Sequence, residues 1–600
     1  MGRRTLGVFG SSLPTKKSKT ITASDFLIGG LIGQFERHYK IAFETHNPEE
    51  VRDIFGDQLT SSYYGWDCVK AFWDNAVGVT AKLWVKSHVG FGTAYDAVTA
   101  TAQPIDGSAA PTLRLDSAYQ GELEFGTDGN KTGYTITNGA RFTTACDGVP
   151  NTIDTFLILD SVAGIKVGDI IKCTHTGPAY VYKKITSIDE SARKVNFSGG
   201  FGSAAFVDND VVEVMGFRLR VYRKNSLGLV SEVETEMGKI WCTMEPEVTD
   251  FYVNTVFATN KWLLATDLAS ASVLNLSFPA DVATVTYLAS GASGTAPTTA
   301  AHWANDLTAF DSAPIRMIAN CETTDSTIQK AIETYCRARW DNPKVIYNIT
   351  SNQTKAQLKV IGNSYQRSDD VLGVITANWL GVTDPFATNV SLADDRSIPN
   401  VGAVMGVWIR TIGTKGIHYI PAVLDMSLFG INSIVGDTFT NDTDRTELSD
   451  AGINVIQEKT GYGIVVRNFF TPSITQEFSF GNGILMREYF KVSFVDSLAS
   501  SENEPNNFAR IKESKMAILQ FFYRMWEVGS TGNVPSGETF GQSINSDGSS
   551  TKPIDHFQSQ ADLINNPQSA IDLGERNLDS WFTYPSPAGS IKIGVGFLLR

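Results

Sequence analysis

The residue types that do chemistry are present in this chain but are not arranged to do it. Seven histidines, at positions 38, 46, 88, 175, 302, 418 and 556, stand singly. No His-Glu-x-x-His run sets two ring nitrogens on one helix face for zinc, and no calcium-binding loop occurs. Gly291-Ala292-Ser293-Gly294 has the wrong spacing for the strained turn that exposes a nucleophilic serine. No glycine-rich loop ends in Gly-Lys-Ser/Thr to cradle a phosphate. Asp442, Asp444, Glu447 and Asp450 crowd the stretch 437–450, which reads as a solvated acidic loop before it reads as a cation site. Cys68, Cys146, Cys173, Cys242, Cys321 and Cys336 form no Cys-x-x-Cys pair, so they read as buried thiols, not zinc ligands. Their even number leaves disulfides open. The pattern points away from an enzyme and implies no cofactor.

The chain has 600 residues, 42% hydrophobic and 19% charged. That suits a folded protein of about three or four domains. The net charge of −14 argues against a nucleic-acid binder, because phosphate binding needs a basic surface. The ends differ from this acidic body. Residues 1–24 carry Arg3, Arg4, Lys16, Lys17 and Lys19 and no acid, and residues 586–600 carry Lys592 and Arg600 and no acid. Basic ends fit either docking onto a neighbouring copy or short solvated termini. No apolar run reaches the roughly 18–20 residues that span a bilayer, so no membrane binding is expected. Arg3-Arg4 lacks the apolar stretch of a secretion signal, so a cleaved signal is not expected either.

The elements that would position any site follow from periodicity. Residues 1–22 read as an extended arm. Residues 26–32 read as a buried, glycine-rich strand. Asn47 caps a short helix that begins at Pro48. A helix over 63–76 and a strand over 79–85 follow. An Ala/Thr/Gly-rich boundary at 91–112 introduces a strand-dominated stretch, 113–275, with a small nested barrel at about 156–214. Residues 289–300 read as a flexible loop. Then strand–helix alternation returns: a strand at 315–319, a helix over 327–339 capped by Asp325 or Ser326, a strand at 344–348. From about 484 the chain turns helical. In the helix 508–528, Phe508, Ile511, Ile518, Leu519, Phe522, Met525 and Trp526 read as a core stripe. Arg510, Ala517 and Arg524 read as the opposite face, with Lys512 and Lys515 adding charge. A loop-rich tail leads to a last strand, in which Ile591, Ile593, Val595, Phe597 and Leu599 alternate with Lys592, Gly594, Gly596 and Leu598. A lone terminal strand must pair with a sheet edge, in its own subunit or another.

Several of these segments, taken in order, resemble the contractile tail sheath family of phages, R-type pyocins and related injection systems. They are residues 26–33 (FLIGGLIG), 47–56 (NPEEVRDIFG), 71–75 (AFWDN), Gly291 and Gly294, and 331–339 (AIETYCRAR). They continue with 399–410 (PNVGAVMGVWIR), Lys415 to His418, Pro421-Ala422, 448–456 (LSDAGINVI), Gly463 to Thr471 with Arg467, and 504–507 (EPNN). Residues 91–275 and 530–590 depart from the pattern.

The resemblance implies an α/β (α+β multidomain) fold with a discontinuous core. The N-terminal arm would be 1–22, and the core 23–90 and 276–483. An outer β-rich insert would occupy 91–275, a tube-proximal helical domain 484–589, and a C-terminal arm strand 590–600. It implies a structural, non-enzymatic subunit that polymerises as six-fold helical rings and contracts. Its partners would be further copies of itself, the tail tube protein, and baseplate and tail terminator proteins, with no nucleic acid. Arg510, Lys512, Lys515 and Arg524 would face the tube. The location would be the virion tail, assembled in the host bacterial cytoplasm. A capsid or surface-layer subunit is the alternative by size and acidity, or the sheath of a non-phage contractile injection system, and a hydrolase using the α/β region is a further one.

Overall fold

The computed structural model describes residues 20–56, 63–87, 98–175, 180–202, 206–225, 228–269, 273–292, 303, 306–368, 371–384, 395–502, 504–541, 549 and 552–585. The fold is a mixed α/β multidomain one.

The core is a seven-stranded sheet drawn from two distant stretches of chain. Its order is Phe43–Thr45, Lys82–Ser87, Ile28–Gly33, Met317–Asn320, Lys344–Tyr347, Gly373–Thr376, Ile453–Asn454. All neighbours are parallel except the first pair. Ile28–Gly33 lies at the joining point, paired with Lys82–Ser87 on one side and Met317–Asn320 on the other. Both faces of a parallel sheet must be covered, and here side chains alternate between two buried clusters. Leu31, Met317, Ala319, Ile346 and Val374 face one way. Ile32, Ile318, Val345, Tyr347 and Ile375 face the other.

The first face is covered by helix Val401–Thr414, buried without a break from Val401 to Ile412. A helix apolar all round belongs inside a protein, not on its surface. It lies against helix Gly65–Asn75 at very short range. A Cβ added at Gly402 would stand 2.0 Å from the Cys68 carbonyl oxygen, and one at Gly406 2.4 Å from that of Phe72. The glycines of Ile28–Gly33 serve the same end: a Cβ at Gly29 would meet the Met405 sulfur at 2.6 Å, and one at Gly33 the Gly65 Cα at 2.5 Å. The second face carries residues from helices Ser326–Ala338, Lys355–Ser364 and Asp442–Asp450.

Polar contacts also tie the two stretches. Helix Gly65–Asn75 has no side-chain cap of its own. Instead the Glu322 carboxylate, from the far side of the insert, accepts from the main-chain N–H groups of Gln34, Tyr64 and Gly65 at 2.8–3.1 Å. Lys86 and Asp306, both fully buried, pair at 2.9 Å.

The insert is built on two 14-residue strands, Thr132–Ala145 and Val211–Lys224, paired along most of their length with a bulge at Val214/Met215. Their outer halves join Phe156–Ile158, Ile170–Thr174, Tyr180–Asp189 and Lys194–Phe197. A bridge between Cys146 and Leu159 closes these into a small barrel around Leu157, Ile171, Ile185, Val195 and Val212. Their inner halves pack with Leu113–Tyr119 and Leu263–Asp267 around Phe217, Leu219 and Phe257. Pairing with these strands continues past residue 275. Val282–Tyr287 pairs with Thr132–Ala145, and Val98 bridges Ala292.

Other expectations change too. Residues 442–450 form a helix, not a loop: Asn441 caps it, and its acids pair with Lys355 and Lys359 at 2.6–3.4 Å. Little apolar residue content is needed when caps and ion pairs hold a helix, so the period was not visible. All six cysteines are buried and free; burial pushes the Cys173 thiol up to about 12, which suits an inert group.

The contact between helices Gly65–Asn75 and Val401–Thr414 gives a direct expectation. Gly406→Ala should lower stability by about 1–3 kcal/mol through overpacking. The denaturant midpoint measures it; an unchanged midpoint would show that the helices are not held at this distance.

Candidate assembly surfaces

Helix Gly481–Leu498 is the frame for both described ends of the chain. At its C-terminal end, Thr22 N–H donates to Ser497 Oγ at 2.9 Å, Ser24 N–H to Ser493 Oγ at 3.1 Å, and Ser24 Oγ to Asp496 at 2.8 Å. Phe26 meets Tyr489 edge-on at 5.1 Å. At its N-terminal end, Asn482 Nδ2 donates to the carbonyls of His418 and Pro585, both at 2.9 Å. At 1.5 Å rise per residue, the two attachments stand about 20 Å apart on one rigid rod. The helix is fixed to the core sheet in turn. Buried Glu488 faces buried Lys344 at 3.7 Å, and Arg487 and Lys491 lie within 3.3 Å of Glu488.

Helix Phe508–Val528 packs beside it through aromatic rings. Phe522 is fully buried and meets Phe490 at 5.0 Å, Phe557 at 5.2 Å and Phe540 at 6.0 Å. Its buried residues are Ile511, Ser514, Ala517, Ile518, Phe521, Phe522 and Met525. The expected stripe is therefore rotated. Ala517 faces the core, not away from it, while Phe508 is exposed. Phe508, the first helical residue, is exposed; Ile511, Ile518, Phe522 and Met525 of the expected stripe are buried, Leu519 and Trp526 pack at its edge, and Phe521 joins them.

The four basic residues expected on one face do not share one. At about 100° per residue, Arg524 lies within about 40° of Arg510, whereas Lys512 and Lys515 lie about 140–160° away. Lys512 and Arg524 are exposed and Lys515 is half-buried. Arg510 pairs with Glu513 at 2.7 Å. Arg3, Arg4, Lys16, Lys17 and Lys19, and Ile591, Ile593, Val595, Phe597 and Leu599, lie outside the described residues.

Sequence reasoning missed a hairpin inside the tail taken as loop-rich. Phe557–Gln560 pairs antiparallel with Asp579–Phe582, matching Phe557 to Phe582 and Gln558 to Trp581. Among the described residues it has no third strand. Its signal was the alternation of buried Phe557 and Ser559 with outward Gln558, too short to stand out. Between this hairpin and the two long helices lies a cavity of about 490 Å³. Phe490, Phe494, Val495, Ile518 and Phe582 line it, with Arg487, Lys491 and Arg576.

Among the described residues no three His, Cys, Asp or Glu are placed to hold a metal ion. His418 is buried beside Glu538 at 3.7 Å, and burial holds its pKa below the ordinary value despite that carboxylate. Among the described residues no helix is long and apolar enough to cross a membrane.

No family model and no curated protein sequence matches the chain. Among solved structures, the chain is similar to the sheath tail protein of Listeria innocua, at 10% identity and a TM-score of 0.46, over 94% of this chain and 96% of that one. It is similar to the sheath of the extracellular contractile injection system PVC in its contracted state, at 15% identity and a TM-score of 0.38, over 47% of this chain and 70% of that one. It is also similar to the contracted helical sheath of the anti-feeding prophage, at 16% identity and a TM-score of 0.36, over 48% and 74%.

Phe522 is the keystone of the two-helix and hairpin packing. Phe522→Ala should cost about 3–5 kcal/mol, the usual loss for a buried phenylalanine. Thermal and denaturant unfolding read it; a loss below about 1 kcal/mol would show that the hairpin does not rest on this ring.

Proposed function

We propose that this chain is a structural subunit of a contractile tail sheath, which polymerises around a tube and needs no cofactor or nucleotide. The observation that carries the reading is the attachment of residues 22–24 and residue 585 to opposite ends of the single helix Gly481–Leu498. Arms leaving a subunit from two ends of one rigid rod reach neighbours on two sides. Head-to-tail contacts that do not close on themselves build filaments.

The hairpin Phe557–Gln560/Asp579–Phe582 supports the same reading. A two-stranded sheet is marginal by itself, and among the described residues no third strand covers either edge, where another strand could add. The alternating segment Ile591, Ile593, Val595, Phe597, Leu599 has the pattern of such a strand, and donation between copies would link them through main-chain hydrogen bonds. The ordered run of family-like segments in the sequence agrees with it.

On this reading copies stack as six-fold rings. The helix Phe508–Val528 lies toward the tube protein, and the 98–292 insert decorates the outside. Baseplate and terminator proteins bound the sheath's ends, the location is the virion tail after assembly in the host cytoplasm, and contraction drives the tube through the host envelope for genome delivery. The energy for contraction resides in two discrete packings of the same contacts. Because Arg510 and Arg524 lie on one flank and Lys512 and Lys515 on the other, only one of the two pairs contacts the tube.

Electron microscopy tests this. The full-length protein should form tubes, and deletion of residues 590–600 should leave folded monomers that form none. Closed shells or flat lattices from the full-length protein, or long tubes from the deletion, would refute the proposal.

A further inference from the structure

The insert and the core meet at a joint dense in charge. From the core come Glu36, Arg37, His38, Tyr39 and Asp53. From the insert come Ser117, Tyr119, Glu124, Asp128, Lys131, Arg223, Lys261 and Trp262. The main chains cross-bridge once, His38 with Phe125, at 2.9 and 3.1 Å. Asp128 is the hub. Arg37 Nε reaches it at 2.6 Å and Lys131 at 2.7 Å, and Arg223 also bonds it. Lys131 continues to Glu36 at 2.8 Å. Asp53 takes Lys261 at 2.6 Å and the Tyr119 hydroxyl at 3.1 Å. The Arg223 and Arg37 guanidinium groups lie over the Trp262 ring at 4.5 and 5.3 Å.

Glu124 stands at the centre of this joint and is fully buried. Its closest ion partner is Arg223 Nη1, at 3.7 Å, beyond hydrogen-bond distance. That guanidinium is already committed to Asp128 and to Thr132 Oγ1, the latter at 2.9 Å. An ionised carboxylate placed there loses water and has only the Ser117 hydroxyl beside it as a donor, which is costly. A protonated one fits without that cost.

We propose that the joint is a proton-operated clasp: with Glu124 protonated the insert is carried rigidly by the core, and with Glu124 ionised the joint opens readily and the insert swings. The charges around Glu124 set its titration. Burial pushes its pKa from the ordinary 4.5 up to about 7, against the pull of Arg223 and Arg37. Asp128 stays ionised, because Arg223 and Arg37 outweigh its burial and hold it well below the usual carboxylate range. Burial keeps Tyr39 neutral. The sign follows from linkage. Between about 4.5 and 7 the closed joint binds a proton that the open one releases, so opening becomes easier as pH rises and levels off above about 7.

Hydrogen exchange of peptides covering 117–131, corrected for the intrinsic pH dependence, measures this opening. From pH 5 to 7 the opening constant should rise by up to about tenfold per unit, then flatten. In Glu124→Gln the rise should vanish, with opening held at the acid-side level, while peptides of the core strands 317–320 and 344–347 exchange as in the wild type. A flat wild-type profile, a rise on acidification, or a Glu124→Gln variant that keeps the wild-type slope would overturn the clasp. Should the variant not fold, the wild-type profile alone decides.

Discussion

The contact on which the rest of the structure depends is the parallel pairing of Ile28–Gly33 with Met317–Asn320. It brings together segments separated by the whole insert and turns two incomplete half-sheets into one. Loop-closure entropy grows only logarithmically with loop length, about 0.6 kcal/mol per doubling, so a long insert adds little to the cost of this pairing. The cost lies in specificity, and it is met by fitted contacts. Gly29 admits Met405, Gly33 admits Gly65, and Glu322 caps a helix from the other half. The fully buried Lys86–Asp306 pair sits where the chain leaves and re-enters the core. Such a pair adds little net stability, but leaving either partner alone there would be costly, so it favours one arrangement over others.

The same logic explains why the insert and the C-terminal region differ in how they attach. The insert has its own apolar cores, about Phe217 and about Val212, and joins the core largely through ions and aromatic faces. The C-terminal helices share the core's own apolar cluster, through Leu485, Tyr489, Phe490, Ile518 and Phe522. One is a separable body on a polar joint. The other shares the core's apolar cluster, and its helix Gly481–Leu498 holds residues 22–24 and residue 585.

Much of the core was legible in the sequence. Pro48 at the first helical position, Asn47 and Asp325 as caps and the strand at 344–347 are local signals, and the helices formed where those signals stand. The failures share a physical cause. Val282–Tyr287 belongs to the insert because it pairs with Thr132–Ala145, well over a hundred residues earlier, and nothing within VATVTY announces that partner. Helix Asp442–Asp450 buries only Leu448, so charge pairs rather than an apolar stripe hold it. In helix Phe508–Val528 most of the stripe was recognised, but the buried face is turned toward Ser514, Ala517 and Phe521, two of them too small or polar to signal it, and Phe508 is left exposed. The glycines of 26–33 were legible only as part of a buried strand; their role in admitting Met405 and Gly65 is visible only once the helices are in place.

The central claim is that copies of this chain are linked by exchange of the C-terminal strand onto the hairpin of another copy. Cross-linking between lysines in polymers grown from an equal mixture of light and nitrogen-15-labelled chains tests it most directly. Lys592 belongs to the donated segment, and Lys552 lies just before Phe557–Gln560. The account predicts that about half of the Lys592–Lys552 cross-links join a light to a heavy peptide, twice as many as join light to light. Cross-links confined to peptides of the same isotope would show that the segment stays within its own chain, and would contradict it.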